Sequence, residues 1–208
     1  MGASVIRALD IGELLCYDSS KKSSEQDKSR AGIGKPVFAA LLKGREIVRI
    51  RTADGDEMLA LWGYPDPDTA PPTAKYFYDN LTSGNAIFWA LEQDGALIGE
   101  LYAFLDIEED RDFADGRGTA YLCAFRIRQE FRGKGLGSRL MEAALTDLRA
   151  IGFRRATIGV SDARNEALYR RLGFVDFVKT CCFDPCARDE AMQPEPDEAG
   201  YRLLAKEL

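Results

Sequence analysis

The 208-residue chain contains no histidine. Ser-His-Asp and Cys-His catalysis are therefore closed to it on its own, as are the usual zinc sites built on imidazole. Cysteine is sparse: Cys16, Cys123, Cys181, Cys182 and Cys186 are all there is. Their Cys-Cys-x-x-x-Cys cluster lacks ordinary zinc-ligand pairing, and the odd count reads as free thiols. No metal is expected. Long apolar runs are missing too, and no charged-then-apolar leader is evident, so the expectation is a cytoplasmic protein with no membrane partner. Basic residues are in deficit, with 28 Lys and Arg against 34 Asp and Glu and a net charge of -6. That balance argues against nucleic acid or an anionic membrane as a partner.

What is present falls into an extension and a domain. Residues 1–44 carry helix-like apolar spacing over 4–17, then a Ser/Lys-rich polar stretch over 18–35 that reads as a flexible linker. Residues 45–208 are long enough for one good-sized core. Glu46 to Thr52 alternates as a strand. Helices are expected over 54–62 and 73–81. Strands over 86–91 and 97–105 flank the turn signal Gln93-Asp94-Gly95. A strand follows at 119–128, a helix at 138–150 and a strand at 155–160. A short helix capped by Asn165 and Gly173 and a strand at 174–183 come next. The acidic, Pro-bearing residues 184–200 read as a loop before a last strand at 201–205. The helix at 138–150 should turn Leu140, Ala144, Leu148 and Ile151 to the sheet. The order predicts an α/β (α+β) fold, a mixed, mostly antiparallel sheet flanked by helices.

The run Arg132-Gly133-Lys134-Gly135-Leu136-Gly137 lies between the strand at 119–128 and the helix at 138–150. A Gly-rich turn opening a helix leaves backbone N–H groups unpaired, and with the helix dipole they suit phosphate oxygens. The spacing is neither a dinucleotide fingerprint nor a Walker A loop. From Arg126 to Arg139 there are five basic residues against Glu130 alone. From Asp106 to Gly116 there are six acids against Arg111 alone. A basic mouth and an acidic loop point to an anionic cofactor and a cationic acceptor; both also fit ordinary solvated surface.

The R-x-x-G-x-G pattern at a strand-to-helix junction resembles the acetyl-CoA pyrophosphate loop of GNAT-type N-acetyltransferases. A second match strengthens it: Asn165, Tyr169 and Gly173-Phe174 occupy, in shortened form, places of that family's N-x-x-A-x-x-x-Y-x-x-x-G-F region. The resemblance covers roughly residues 45–183. It implies a GNAT-like acyl-CoA N-acyltransferase fold and acetyl transfer from acetyl-CoA, without metal, to a primary amine of a small, cationic acceptor. Gly133, Gly135, Leu136, Gly137 and Ser138 would hold the pyrophosphate through their amides, with Arg132 and Lys134 adding charge. Asn165 joins the cofactor set. Phe125, Arg126 and Ile127 would run beside the pantetheine arm, with the Phe125 amide toward the thioester carbonyl. Tyr169 matches the tyrosine that protonates the leaving thiolate in many members.

The base is less determined. Tyr121 stands where histone-type members carry a glutamate. Glu100 is the first candidate, because a carboxylate among Leu97, Ile98 and Leu101 is costly unless paired or poised. Asp115 or a water chain are the others. The aromatic stretch from Trp62 to Tyr78 should line the acceptor pocket, which would suit an aminoglycoside, a polyamine or a peptide amine. The family also admits a homodimer through the C-terminal strands. Rival readings are a non-catalytic acyl-CoA-binding sensor or regulator and a protein or peptide N-acetyltransferase.

Overall fold

The computed structural model describes residues 48–208. The extension at 1–44, its linker and the start of the first expected strand lie outside the described residues. The elements run β1 (Val48–Ala53), α1 (Gly55–Trp62), α2 (Pro72–Ser83), β2 (Ala86–Gln93), β3 (Ala96–Phe104), β4 (Thr119–Ile127), α3 (Leu136–Ala150), β5 (Arg155–Val160), α4 (Ala163–Arg171), β6 (Asp176–Arg188) and β7 (Pro194–Glu207). One seven-stranded sheet has the order β1-β2-β3-β4-β5-β7-β6. Every neighbouring pair is antiparallel except β4 and β5.

Local chemistry sets these elements. Asp54 caps α1 by accepting from Glu57 N, and Glu57 reaches back to Asp54 N, a reciprocal capping box. Asp94 and Gly95 both have positive φ, 52° and 82°, which gives the β2–β3 hairpin the turn its strand twist requires. The central strands are apolar on both faces because each face is covered. Trp89, Leu91, Leu101 and Ala103 join the core under α3, whereas Phe88, Ala90, Tyr102 and Phe104 join the core under α1 and α2. Trp89 also donates to Asp147 at 2.8 Å, which pins α3 to β2.

Four expectations need correction. First, α3 begins at Leu136 rather than Ser138, with Gly135 as its N-cap. Second, Leu140, Ala144 and Leu148 are fully buried, but Ile151 is 57% exposed. The helix stops at Ala150 and the chain turns at Gly152, φ 104°, so Ile151 leaves the stripe. Third, Asp162 rather than Asn165 caps α4, accepting from Asn165 N at 2.8 Å. Fourth, residues 184–200 are not a loop: β6 runs to Arg188 and β7 starts at Pro194. Proline is tolerated there because β6 is the sheet's edge, and β7 pairs with β5 only from Arg202 onward.

Candidate active site

The site begins with a fault in β4. Between Glu100 and Tyr102 of β3 the facing residues step from Arg126 to Cys123, one residue too many, and Ala124 takes φ 46°. This bulge bends β4 away from β5. The two strands pair only from Thr119–Arg155 to Leu122–Ile158. Arg128 N donates to Ile98 O of β3, so by the alternation of an antiparallel ladder the amides of Phe125 and Ile127 point the other way, into the opening. Extended backbone with its N–H groups facing a gap is ready to pair with another extended chain.

The opening leads to the N-terminus of α3. Gly133 and Gly135 have φ of 76° and 74°, which glycine adopts without strain. No side chain caps α3, so the first-turn amides have no partner there. Gly137 lets the helix close on β4: a Cβ there would come within 3.1 Å of the Phe125 ring. Arg132 Nε donates to Ile127 O at 2.7 Å, which sets its guanidinium beside the opening. Lys134 Nζ lies 5.2 Å from the centroid of the Phe131 ring. A narrow edge of amides that ends at an uncapped, positively flanked helix fits a thin acyl chain followed by a pyrophosphate.

Tyr169 of α4 approaches the same stretch of β4. Its ring centroid is 6.4 Å from that of Phe125 and 6.3 Å from that of Phe174. Burial, with Asp162 and Cys123 nearby, pushes its phenol up to about 12, so it carries its proton throughout the working pH range. Asn165 is turned toward Asp162, to which its side chain donates at 2.6 Å. Tyr121 is a core aromatic, 5% exposed, edge-on to Phe113 at 5.0 Å.

Glu100 lies on the other face, under α1, and is 7% exposed. Its Oε2 accepts from Trp62 Nε1 and from the Tyr102 hydroxyl, each at 2.9 Å. Arg126 Nε is 2.6 Å from its Oε1, but the N–H does not point along that line, so the contact is an ion pair rather than a linear hydrogen bond. The Arg126 guanidinium carbon sits 5.2 Å from the Trp62 ring centroid. Trp62, Phe77 and Tyr102 pack together with centroids 5.0 to 5.9 Å apart. The carboxylate is thus paired, and the aromatic stretch does border β4.

Five of the six acids between Asp106 and Gly116 are engaged. Asp115 Oδ1 accepts from the amides of Arg117, Gly118 and Thr119; burial pushes its carboxyl up, but those bonds prevail and hold it low. Glu109 pairs with the buried Arg188 at 2.9 Å, Asp112 with Lys179 at 3.0 Å, Asp110 with the same lysine, and Asp106 with Arg111. Three cations, Arg111, Lys179 and Arg188, thus offset part of the charge of the loop's six acids. No feature of the sequence announces Cys123 and Cys186, whose sulfurs meet at 3.8 Å between β4 and β6. No group of described residues has the makings of a metal site, and no described helix is long and apolar enough to cross a membrane.

Residues 52–174 match the Acetyltransferase (GNAT) family. The L-methionine sulfoximine/L-methionine sulfone acetyltransferase of Pseudomonas aeruginosa is 32% identical over 117 residues, which is 55% of this chain and 64% of that protein. The polyamine N-acetyltransferase of Drosophila melanogaster superposes over 78% of this chain and 100% of its own, with a TM-score of 0.54 and 16% identity. The ribosomal-protein-S18-alanine N-acetyltransferase of Escherichia coli covers 77% of this chain and 94% of its own, with a TM-score of 0.54 and 17% identity. These two likenesses speak for the fold. With a family match over more than half its length, a bulged β4 parted from β5 and a Gly-rich turn into α3, the chain belongs to the GNAT acetyltransferase family.

Proposed function

We propose that the protein is an acetyl-CoA-dependent N-acetyltransferase that passes acetyl directly to the primary amine of a small acceptor. The observation that carries this reading is the opening between β4 and β5, with the Phe125 and Ile127 amides facing it. Bound acetyl-CoA supplies an electrophilic thioester carbonyl and a thiolate leaving group. The α3 amides from Leu136 to Ser138, the turn at Gly133 to Gly135, Arg132 and Lys134 hold the phosphates. The amides of Phe125 and Ile127 hold the acyl arm, with Arg126 between them and Asn165 at the mouth. A buried amide aimed at the developing oxyanion lowers the barrier by about 3 kcal/mol, and Phe125 is placed to provide it. Tyr169, protonated and against Phe125, donates the proton that the leaving sulfur takes. Orientation of amine and thioester contributes much of the remainder.

The sequence makes Glu100 the first candidate base. Two donors and an ion pair hold its carboxylate, so in this reading Glu100 positions Arg126 and Trp62, and the amine proton leaves through water. Arg111, Lys179 and Arg188 offset part of the acidic loop's charge, which weakens its support for a cationic acceptor. The relative's name, an acetyltransferase of methionine derivatives, favours an acceptor of amino-acid size. Among the described residues the thiols of Cys123, Cys181, Cys182 and Cys186 are free, which supports a reducing, cytoplasmic setting.

Thermal unfolding with acetyl-CoA, CoA or NADH is the test, because a ligand of the folded state raises Tm. A rise with both CoA species and none with NADH, followed by thiol release in an amine panel, upholds the reading. A rise without thiol release from any amine would instead favour the non-catalytic sensor.

A further inference from the structure

We propose that Arg126 selects the acceptor by taking its carboxylate, so that the substrates are primary amines that carry a carboxylate, amino acids, rather than polycations. The inference rests on the acetyl-transfer reading above. Arg126 leaves β4 between Phe125 and Ile127, whose amides face the opening. On the α3 side this stretch is covered: Phe125 packs against Tyr169 and lies close under Gly137. The acceptor therefore reaches the opening from the side of α1 and α2, where Arg126 stands.

The guanidinium is held in place before any acceptor arrives. Glu100 lies against its Nε at 2.6 Å, and Trp62 lies beneath it. Trp62 and Tyr102 donate to Glu100 in their own right, so its position does not depend on Arg126 alone. Among the described residues, none accepts a hydrogen bond from Nη1 or Nη2 of Arg126, and its side chain is 32% exposed. The open edge therefore offers two parallel donors on a fixed plane, the arrangement that meets a carboxylate through both oxygens. Trp62, the partly exposed member of its aromatic cluster, lies beside it and suits an apolar or sulfur-bearing side chain.

The test pairs L-leucine, L-methionine and L-phenylalanine each with its own carboxamide, which keeps the amine and removes the anion. Transfer is followed by thiol release, and binding by calorimetry on the full chain with CoA present. The acids should be favoured at least about tenfold in kcat/KM and in Kd, the effect expected of a charge-assisted pair. Arg126→Lys should retain part of that preference. Arg126→Gln alone leaves Glu100 buried without its cation, so the double change Glu100→Gln with Arg126→Gln removes both charges together. In the double variant the preference should fall to about one, with the CoA-induced rise in Tm reporting a folded site. Equal handling of acids and carboxamides by the unchanged chain overturns the proposal, as does a preference that survives the double change, or no binding of either class. Binding that follows the carboxylate without any turnover would uphold the carboxylate site and overturn the transfer reading alone.

Discussion

The indole N–H of Trp62 donates to Oε2 of Glu100 at 2.9 Å, joining the last residue of α1 to the middle of β3. The bond fixes a carboxylate that in turn fixes Arg126 on β4. Glu100→Gln should therefore destabilise the protein by about 1–3 kcal/mol, since it leaves a half-buried guanidinium without its anion. Urea unfolding measures this. The pH–rate profile of the variant should keep its midpoint while the rate falls. A displaced midpoint would return the role of base to Glu100.

Tyr169→Phe should lower kcat about a hundredfold, in the usual range for a lost general acid, and leave the acetyl-CoA-induced rise in Tm intact. Unchanged turnover would remove the acid role. The same residue predicts an alkaline transition. Burial raises its phenol from the ordinary value of about 10 to about 12, so its contribution to stability is full below pH 10 and lost as pH rises toward 12. The phenylalanine variant should show a shallower loss across that window.

Gly137→Ala puts a methyl group within 3.1 Å of the Phe125 ring. The Phe125 ring or the first turn of α3 must give by a few tenths of an ångström, and both line the proposed cofactor channel. KM for acetyl-CoA should rise about tenfold, the cost of roughly one well-placed hydrogen bond, with a smaller change in kcat. An unchanged KM would place the cofactor elsewhere.

Asp115 and Asp184 should respond to pH in opposite senses. Three backbone amides hold Asp115 low, so it stabilises the fold above its unfolded pKa and that support is lost as pH falls. Asp115→Ala should cost about 1–2 kcal/mol at neutral pH and less in acid. Burial pushes the Asp184 carboxyl up despite bonds from the amides of Cys186 and Ala187. Its stabilising share is present in acid and lost as pH rises. Asp184→Asn should therefore raise Tm at pH 7 and lose that gain near pH 4. Thermal scans at the two pH values decide both.

Periodicity and punctuation made most of the fold legible, because β2, β3, β4, α3 and β5 bury continuous apolar faces. The β6–β7 hairpin was hidden because its outer half has few apolar positions and three prolines, Pro185, Pro194 and Pro196, where the strands pair only with each other. Asp162 and Asn165 both suit a cap, and only the backbone at Asp162 decides between them. The glycine run pointed to the proposed phosphate end of the site. The proposed acceptor end rests on Trp62, Glu100 and Arg126, which the fold brings together from three separate strands and helices. Likewise Lys179 and Arg188 neutralise acids 67 to 79 positions away. The bulge at Ala124 has no residue signal, since alanine rarely takes positive φ.

The parting of β4 from β5 also has a mechanical side. Four residue pairs are all that joins the block β1–β4 to the block β5–β7 within the sheet. The sheet is therefore built as two leaves on a short hinge, with the proposed cofactor channel at the seam. A ligand lying along β4 with its phosphates on α3 and Tyr169 above it would stitch the leaves together. Amides of Gly159 and Val160, just past the hinge, should then exchange with solvent more slowly, so that the strength of the sheet becomes a reading of its occupancy.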